Sequence, residues 1–141
     1  MNATQEQQLF KALSDPLRRR LLCLLSERAS CVGDLVTVLG VPQPTASRHL
    51  AHLRRAGWVE ARQQGLWTFY SLAKPTGPLH EQLLSCLTLA GQTGSEHVAD
   101  ARQAEALRAH GGCCPYDDPA SSCQAPPSAA AAKPPRPPAQ C

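Results

Sequence analysis

A chain of 141 residues has room for one domain with appendages. Its net charge of +3 is too mild to imply a polyanionic partner by itself, and with aromatics at only 4% any core must be built mainly from leucine and alanine. No stretch approaches the ~20 apolar residues of a membrane span, which excludes a membrane-spanning helix. Seven cysteines is an odd number, and Met-Asn-Ala-Thr-Gln lacks the apolar run of a secretory signal, so a cytoplasmic chain with reduced thiols is expected. In that compartment clustered cysteines bind metals or sense redox state more often than they form a disulfide framework.

From the N-terminus, Thr4-x-x-Gln7 has the form of a capping box, and Leu9, Ala12 and Leu13 supply an apolar edge. A first helix is predicted over about residues 4–13. Asp15 then caps and Pro16 opens a second helix running to about Arg28, since a helix's first residue has no use for the N–H that proline lacks. Leu17, Leu21, Leu24 and Leu25 form its buried stripe, with Cys23 on the opposite, surface or dimer-facing side. Ser30 is the predicted N-cap of a third helix carrying Val32, Leu35, Val36 and Leu39, closed by Gly40.

The stretch Val41 to Gly57 carries most of the functional information. Ala46, Leu50 and Leu53 recur at i, i+4, i+7 as a buried stripe, while Ser47, Arg48, Ala51 and Arg55 project outward. Between Pro42 and Leu72 there are four arginines against the single acid Glu60, with His49 and His52 besides. Two short helices joined by a glycine-containing turn, the second basic on its exposed face, make a helix-turn-helix or an ordinary αα-hairpin. The next segments favour the former. Trp58–Arg62 and Leu66–Leu72 are strand-forming runs separated by Gln63-Gln64-Gly65, which predicts a hairpin and so a wing contacting DNA through Arg62 and the tip glutamines.

After a loop at 74–78, Leu79, Leu83, Leu87 and Ala90 predict an apolar helix suited to a dimer seam, with Cys86 inside the buried stripe. A capped helix with a weak apolar face follows from Ser95 to about His110. Residues 111–141 hold eight of the thirteen prolines, a run of four alanines and four of the seven cysteines, and proline at that density predicts a flexible tail. The expected architecture is mainly α with a small β-hairpin, a winged helix-turn-helix of order α-α-α-α-β-β-α plus a C-terminal helix. Its divisions are a DNA-binding and dimerisation domain over 1–92, the C-terminal helix over 93–110, and the tail over 111–141.

Three motifs, Leu9-Phe-Lys-Ala-Leu-Ser-Asp-Pro-Leu-Arg18, Gln43-Pro-Thr-Ala-Ser-Arg-His-Leu-Ala-His-Leu-Arg-Arg-Ala-Gly57 and Arg62-Gln-Gln-Gly-Leu-Trp-Thr-Phe-Tyr-Ser-Leu72, occur in that order. Over roughly residues 5–90 the chain resembles the ArsR/SmtB family of metal- and metalloid-responsive repressors. The resemblance implies a homodimer that occupies palindromic double-stranded operator DNA and leaves it when a metal or metalloid binds. It makes Gln43, Thr45, Ser47 and Arg48 the base-reading positions, with Arg54, Arg55 and Arg62 better suited to phosphates. Pro42 stands where many relatives carry a polar cap.

Arsenic-responsive relatives commonly carry Cys-Val-Cys-Asp-Leu at the start of the third helix. This chain reads Cys31-Val32-Gly33-Asp34-Leu35, so Cys31 alone reads as the remainder of a lost site. The tail supplies Cys113, Cys114 and Cys123 instead, three sulfurs for a pyramidal As(III) or Sb(III) centre, with Cys141 as a weaker reserve. A zinc-type reading would draw on His80, Glu81, His97, Asp100, Glu105 and His110, whose spacing lacks the pair-per-helix pattern; single histidines on exposed helix faces are ordinarily solvated. Cadmium or lead at the thiolates, and oxidation of the same cysteines, are the remaining signals. A thiol oxidoreductase is the least favoured reading, because no Cys-x-x-Cys adjoins a strand-helix unit and no phosphate-cradling loop is present.

Overall fold

The structure, a computed structural model, describes residues 2–111. Its elements in chain order are α1 (Ala3–Leu13), α2 (Pro16–Glu27), β1 (Ser30–Cys31), α3 (Val32–Leu39), α4 (Gln43–Arg55), β2 (Val59–Gln64), β3 (Trp67–Leu72), α5 (Pro78–Thr93) and α6 (Ser95–Ala109). The strands form one antiparallel sheet in the order β1-β3-β2. This is the winged helix-turn-helix plan anticipated from the periodicities.

Helix ends follow local chemistry. Asn2, not Thr4, caps α1: its Oδ1 accepts from the Gln5 N–H and Gln5 Oε1 accepts from the Asn2 N–H, each at 2.9 Å. The box therefore closes two residues earlier than Thr4-x-x-Gln7 would place it, and Thr4 lies within the first turn. Asp15 caps α2 as expected, accepting from the Leu17 and Arg18 N–H groups. The carbonyls at the end of α1 are met by α2, whose Arg18 donates to Ala12 O and Lys11 O and whose Arg19 donates to Leu13 O at 2.7 Å. Two cations on the negative end of a helix dipole hold the α1–α2 corner. Gly40, at φ 66°, ends α3 in the left-handed conformation that glycine adopts without a Cβ penalty.

α2 forms the centre of the molecule. Leu21, Leu22, Cys23, Leu24 and Leu25 are all buried, because α3, α4 and β3 cover one side of the helix while α5 and α6 cover the other. Cys23 is therefore not a surface residue: it is 5% exposed, and its thiol points at Leu87 O, 3.6 Å away in α5. Burial pushes its pKa up to about 11, which keeps it a protonated, inert thiol. In α5 the inward side is marked by His80 and Leu87, which are buried, and by half-buried Leu83 and Leu84 packed on the core. Cys86, one position before Leu87 and so about 100° around the helix, is exposed rather than inside the stripe.

Three further corrections concern short segments. Cys31, rather than Ser30, caps α3, because Ser30 and Cys31 form β1 and pair with Tyr70 and Phe69 of β3. Gln63 and Gln64 belong to β2, paired with Thr68 and Trp67, so the hairpin turns on Gly65-Leu66. Gly65, at φ 63°, occupies the first position of that two-residue loop, where positive φ suits glycine. α6 lacks the side-chain cap expected of it, since Gly94 stands at that position with no side-chain hydrogen bond. What fastens α6 is Asp100, 5% exposed and held bidentately by Arg20 of α2 at 2.8 Å on both oxygens, with Glu96 at 3.4 Å. This pairing holds the Arg20 guanidinium above its ordinary pKa.

Candidate nucleic-acid interface

α4 is placed by its apolar stripe. Ala46, Leu50 and Leu53 are each 0% exposed against α2, α3 and the strand that follows, so the opposite side of the helix is turned outward. Arg48, Ala51, Arg54 and Arg55 lie exposed on that side, while Gln43, Thr45 and Ser47 are half-buried in the first turns. Pro42, at the N-cap, makes no side-chain hydrogen bond. Its carbonyl accepts from the Thr45 and Ala46 N–H groups at 3.1 Å, and Pro44 has no N–H to satisfy, so little is left for a polar cap to do.

Gln43, Thr45, Ser47 and Arg48 therefore share one end of the helix. Arg54 and Arg55 lie at the other, about 16 Å along the axis from Gln43 and about 9 Å from Arg48. Arg62 is exposed in β2 opposite Phe69, near the Gly65-Leu66 tip where Leu66 is 71% exposed. The described residues give Arg48, Arg54, Arg55 and Arg62 no ion-pair partner, which leaves four cations free for an external anion. His52 on the same helix is held below its ordinary pKa by partial burial and by Arg18 and Arg55, so it is neutral at pH 7. An exposed helix face bearing arginines without acids, flanked by a hairpin with another arginine, suits the major groove and the adjoining phosphates.

The sequence-predicted ligands are placed differently. Cys113, Cys114 and Cys123 lie outside the described residues, as does Cys141. Cys31 is fully buried; its Sγ accepts from the Asp34 N–H at 3.4 Å, and it is disulfide-bonded, whereas Cys23 and Cys86 are free. Of the zinc-type residues, Asp100 is engaged by Arg20, and His80 is not solvated but 1% exposed, its ring edge-on to Trp58 at 4.6 Å. Among the described residues no three of His, Cys, Asp and Glu converge on a metal-sized point.

Two features were missed from sequence. β1 ties the start of α3 to the wing, and two residues are too short to carry an alternation signal. The Arg20–Asp100 pair spans 80 positions and has no local signature.

The profile of the bacterial regulatory proteins of the arsR family matches residues 15–61, which span α2 through the first half of β2. The arsenic resistance transcriptional regulator ArsR2 of Pseudomonas putida is 40% identical over 95 residues, 65% of this chain and 78% of that protein. The arsenical resistance operon repressor of Escherichia coli is 49% identical over 67 residues, 47% of this chain and 57% of the relative. Among solved structures, the homodimeric winged helix-turn-helix DNA-binding domain Mb0332 of Mycobacterium bovis superposes with a TM-score of 0.54 at 29% identity, covering 67% of this chain and 82% of that one. The chain belongs to the arsR family of bacterial regulatory proteins, whose members are DNA-binding transcriptional regulators and not enzymes.

Proposed function

We propose that the chain is a repressor that occupies operator DNA as a homodimer and is released when As(III) or Sb(III) is captured by cysteine thiolates of Cys113, Cys114 and Cys123. The observation that carries the DNA half is the exposed basic face of α4, without an ion-pair partner among the described residues, with Arg62 beside it. Phe10 of α1 at 53% exposure and Leu89 of α5 at 60%, beside exposed Cys86, support a second copy covering α1 and α5. The metalloid half is supported by the soft chemistry of clustered thiolates and by the arsenic-resistance relatives. Release requires the captured metalloid to bind more tightly in a dimer arrangement whose two α4 helices no longer match successive grooves, because a ligand moves an equilibrium only by its differential affinity.

A mobility shift of reduced protein on operator DNA with added arsenite is the direct test. Arsenite is expected to release wild type and to leave Cys113→Ser bound; release unchanged by the substitution rules the site out. A second reading, release by oxidation of Cys113, Cys114 and Cys123, rests on the same clustered thiols and requires peroxide sensitivity with no arsenite response.

A further inference from the structure

We infer that the chain carries a binding site for a small apolar carboxylate, one ring in size, in the cavity between α2, α3 and α6, with Arg108 as the partner of the carboxylate. The site is independent of the metalloid reading, since no residue lining the cavity is a cysteine or belongs to α4, β2 or β3. The cavity measures about 180 Å³. An interior void of ~150 Å³ lined by apolar side chains takes up a benzene ring, so this one has room for a ring and a short substituent.

Its floor is aliphatic. Leu24 of α2 and Leu35 and Val38 of α3 are buried, and Val98 and Leu107 of α6 stand half-buried over them. The remaining apolar lining is small, with Ala101 and Ala104 of α6 and Gly91 of α5. Larger side chains there would fill the space, as close-packed interiors ordinarily do. The α2–α5 contact does not demand Gly91, because a Cβ on it would meet only Cys23, at 3.5 and 3.6 Å, an ordinary van der Waals distance. Glycine inside a helix is less stable than alanine, so the room is kept at a position where packing would accept a methyl group.

The mouth selects the charge of the ligand. Glu27, Arg102 and Glu105 are exposed there, and exposed charges act through water and discriminate weakly. Asp34 and Arg108 are half-buried. Asp34 is already engaged within the chain, whereas the Arg108 guanidinium has no ion-pair or hydrogen-bond partner among the described residues. A half-buried guanidinium without an anion leaves part of its desolvation uncompensated, and a carboxylate brought by a ligand offsets it through a charge-assisted, bidentate contact. A ligand seated on Leu35 and Val38 also bridges α6 to α3, the helix that packs on α4.

The test is NMR of the full reduced chain titrated with phenylacetate. Saturable shifts are expected with a Kd of about 1 mM or below, largest at the methyl groups of Leu35, Val38, Val98 and Leu107. Benzylamine, the same ring with the opposite charge, is expected to bind about tenfold more weakly. Ala104→Leu, its fold checked by circular dichroism, fills the cavity and is expected to abolish the shifts. Arg108→Gln keeps the cavity and is expected to weaken phenylacetate about tenfold while leaving benzyl alcohol unchanged. The site is overturned by the absence of saturable shifts, by shifts centred away from these methyls, or by undiminished binding in folded Ala104→Leu. The carboxylate assignment, and the proposal with it, is overturned if benzylamine binds as tightly as phenylacetate or if Arg108→Gln has no effect. Should Ala104→Leu not fold, the wild-type shift map and Arg108→Gln decide.

Discussion

His80 illustrates how one residue is committed by its surroundings. Nδ1 accepts from the Thr76 N–H at 3.2 Å, so the ring proton sits on Nε2, and the ring packs edge-on to Trp58, whose own Nε1 donates to Leu9 O. Burial holds the imidazole below its ordinary pKa of 6.5. In the unfolded chain His80 takes its proton near pH 6.5, while the folded protein resists until a lower pH. Between those values the unfolded state binds more protons, so stability falls as pH falls. Thermal melts from pH 7.5 to 5.5 are expected to decline more steeply for wild type than for His80→Phe; parallel declines would show that this ring does not carry the effect. His52 acts in the same direction and remains in both proteins.

At the scale of elements, α6 shows a helix held by charge more than by apolar area. Its inward residues Val98, Ala101, Ala104 and Leu107 are mostly small, and they leave the cavity against Leu24, Leu35 and Val38 unfilled. The bidentate Arg20–Asp100 contact does the positioning. Asp100→Ala strands a partly buried guanidinium and is expected to cost about 2 kcal/mol in chemical denaturation, tempered because Arg20 is 22% exposed. A double-mutant cycle with Arg20→Met is expected to recover part of that loss; strictly additive losses would deny the coupling.

For the whole molecule, the consequences concern DNA and the second copy. Arg62→Ala is expected to weaken all duplexes alike and reduce the slope of log affinity against log salt by about one. Arg48→Ala is expected to cost about 1–3 kcal/mol on the operator while sparing random duplex. If both substitutions act equally on both duplexes, the division between base reading and phosphate contact fails. Sedimentation in the same buffers is expected to give twice the 15.1 kDa chain mass.

Much of this was legible in the linear chain, because the strongest signals are local. The Ala46, Leu50, Leu53 stripe orients α4, and burying it forces Arg48 and Arg55 outward, so the basic face follows from period alone. Asp15-Pro16 and Gly40 mark helix ends through backbone chemistry that needs no distant partner. What tertiary structure decided is which second face of a helix is also covered. Cys23 looked outward on α2 until α5 closed over it, and Cys86 looked inward until α5 turned His80 and Leu87 to that contact. Cys31 by itself looked like the relic of a lost site. Only the pairing of β1 with the wing buries Cys31 at the start of α3, and only the seating of α6 on α2 and α3 brings Asp100 to Arg20, because contacts between residues far apart in sequence depend on how strands and helices pack and leave no periodic trace.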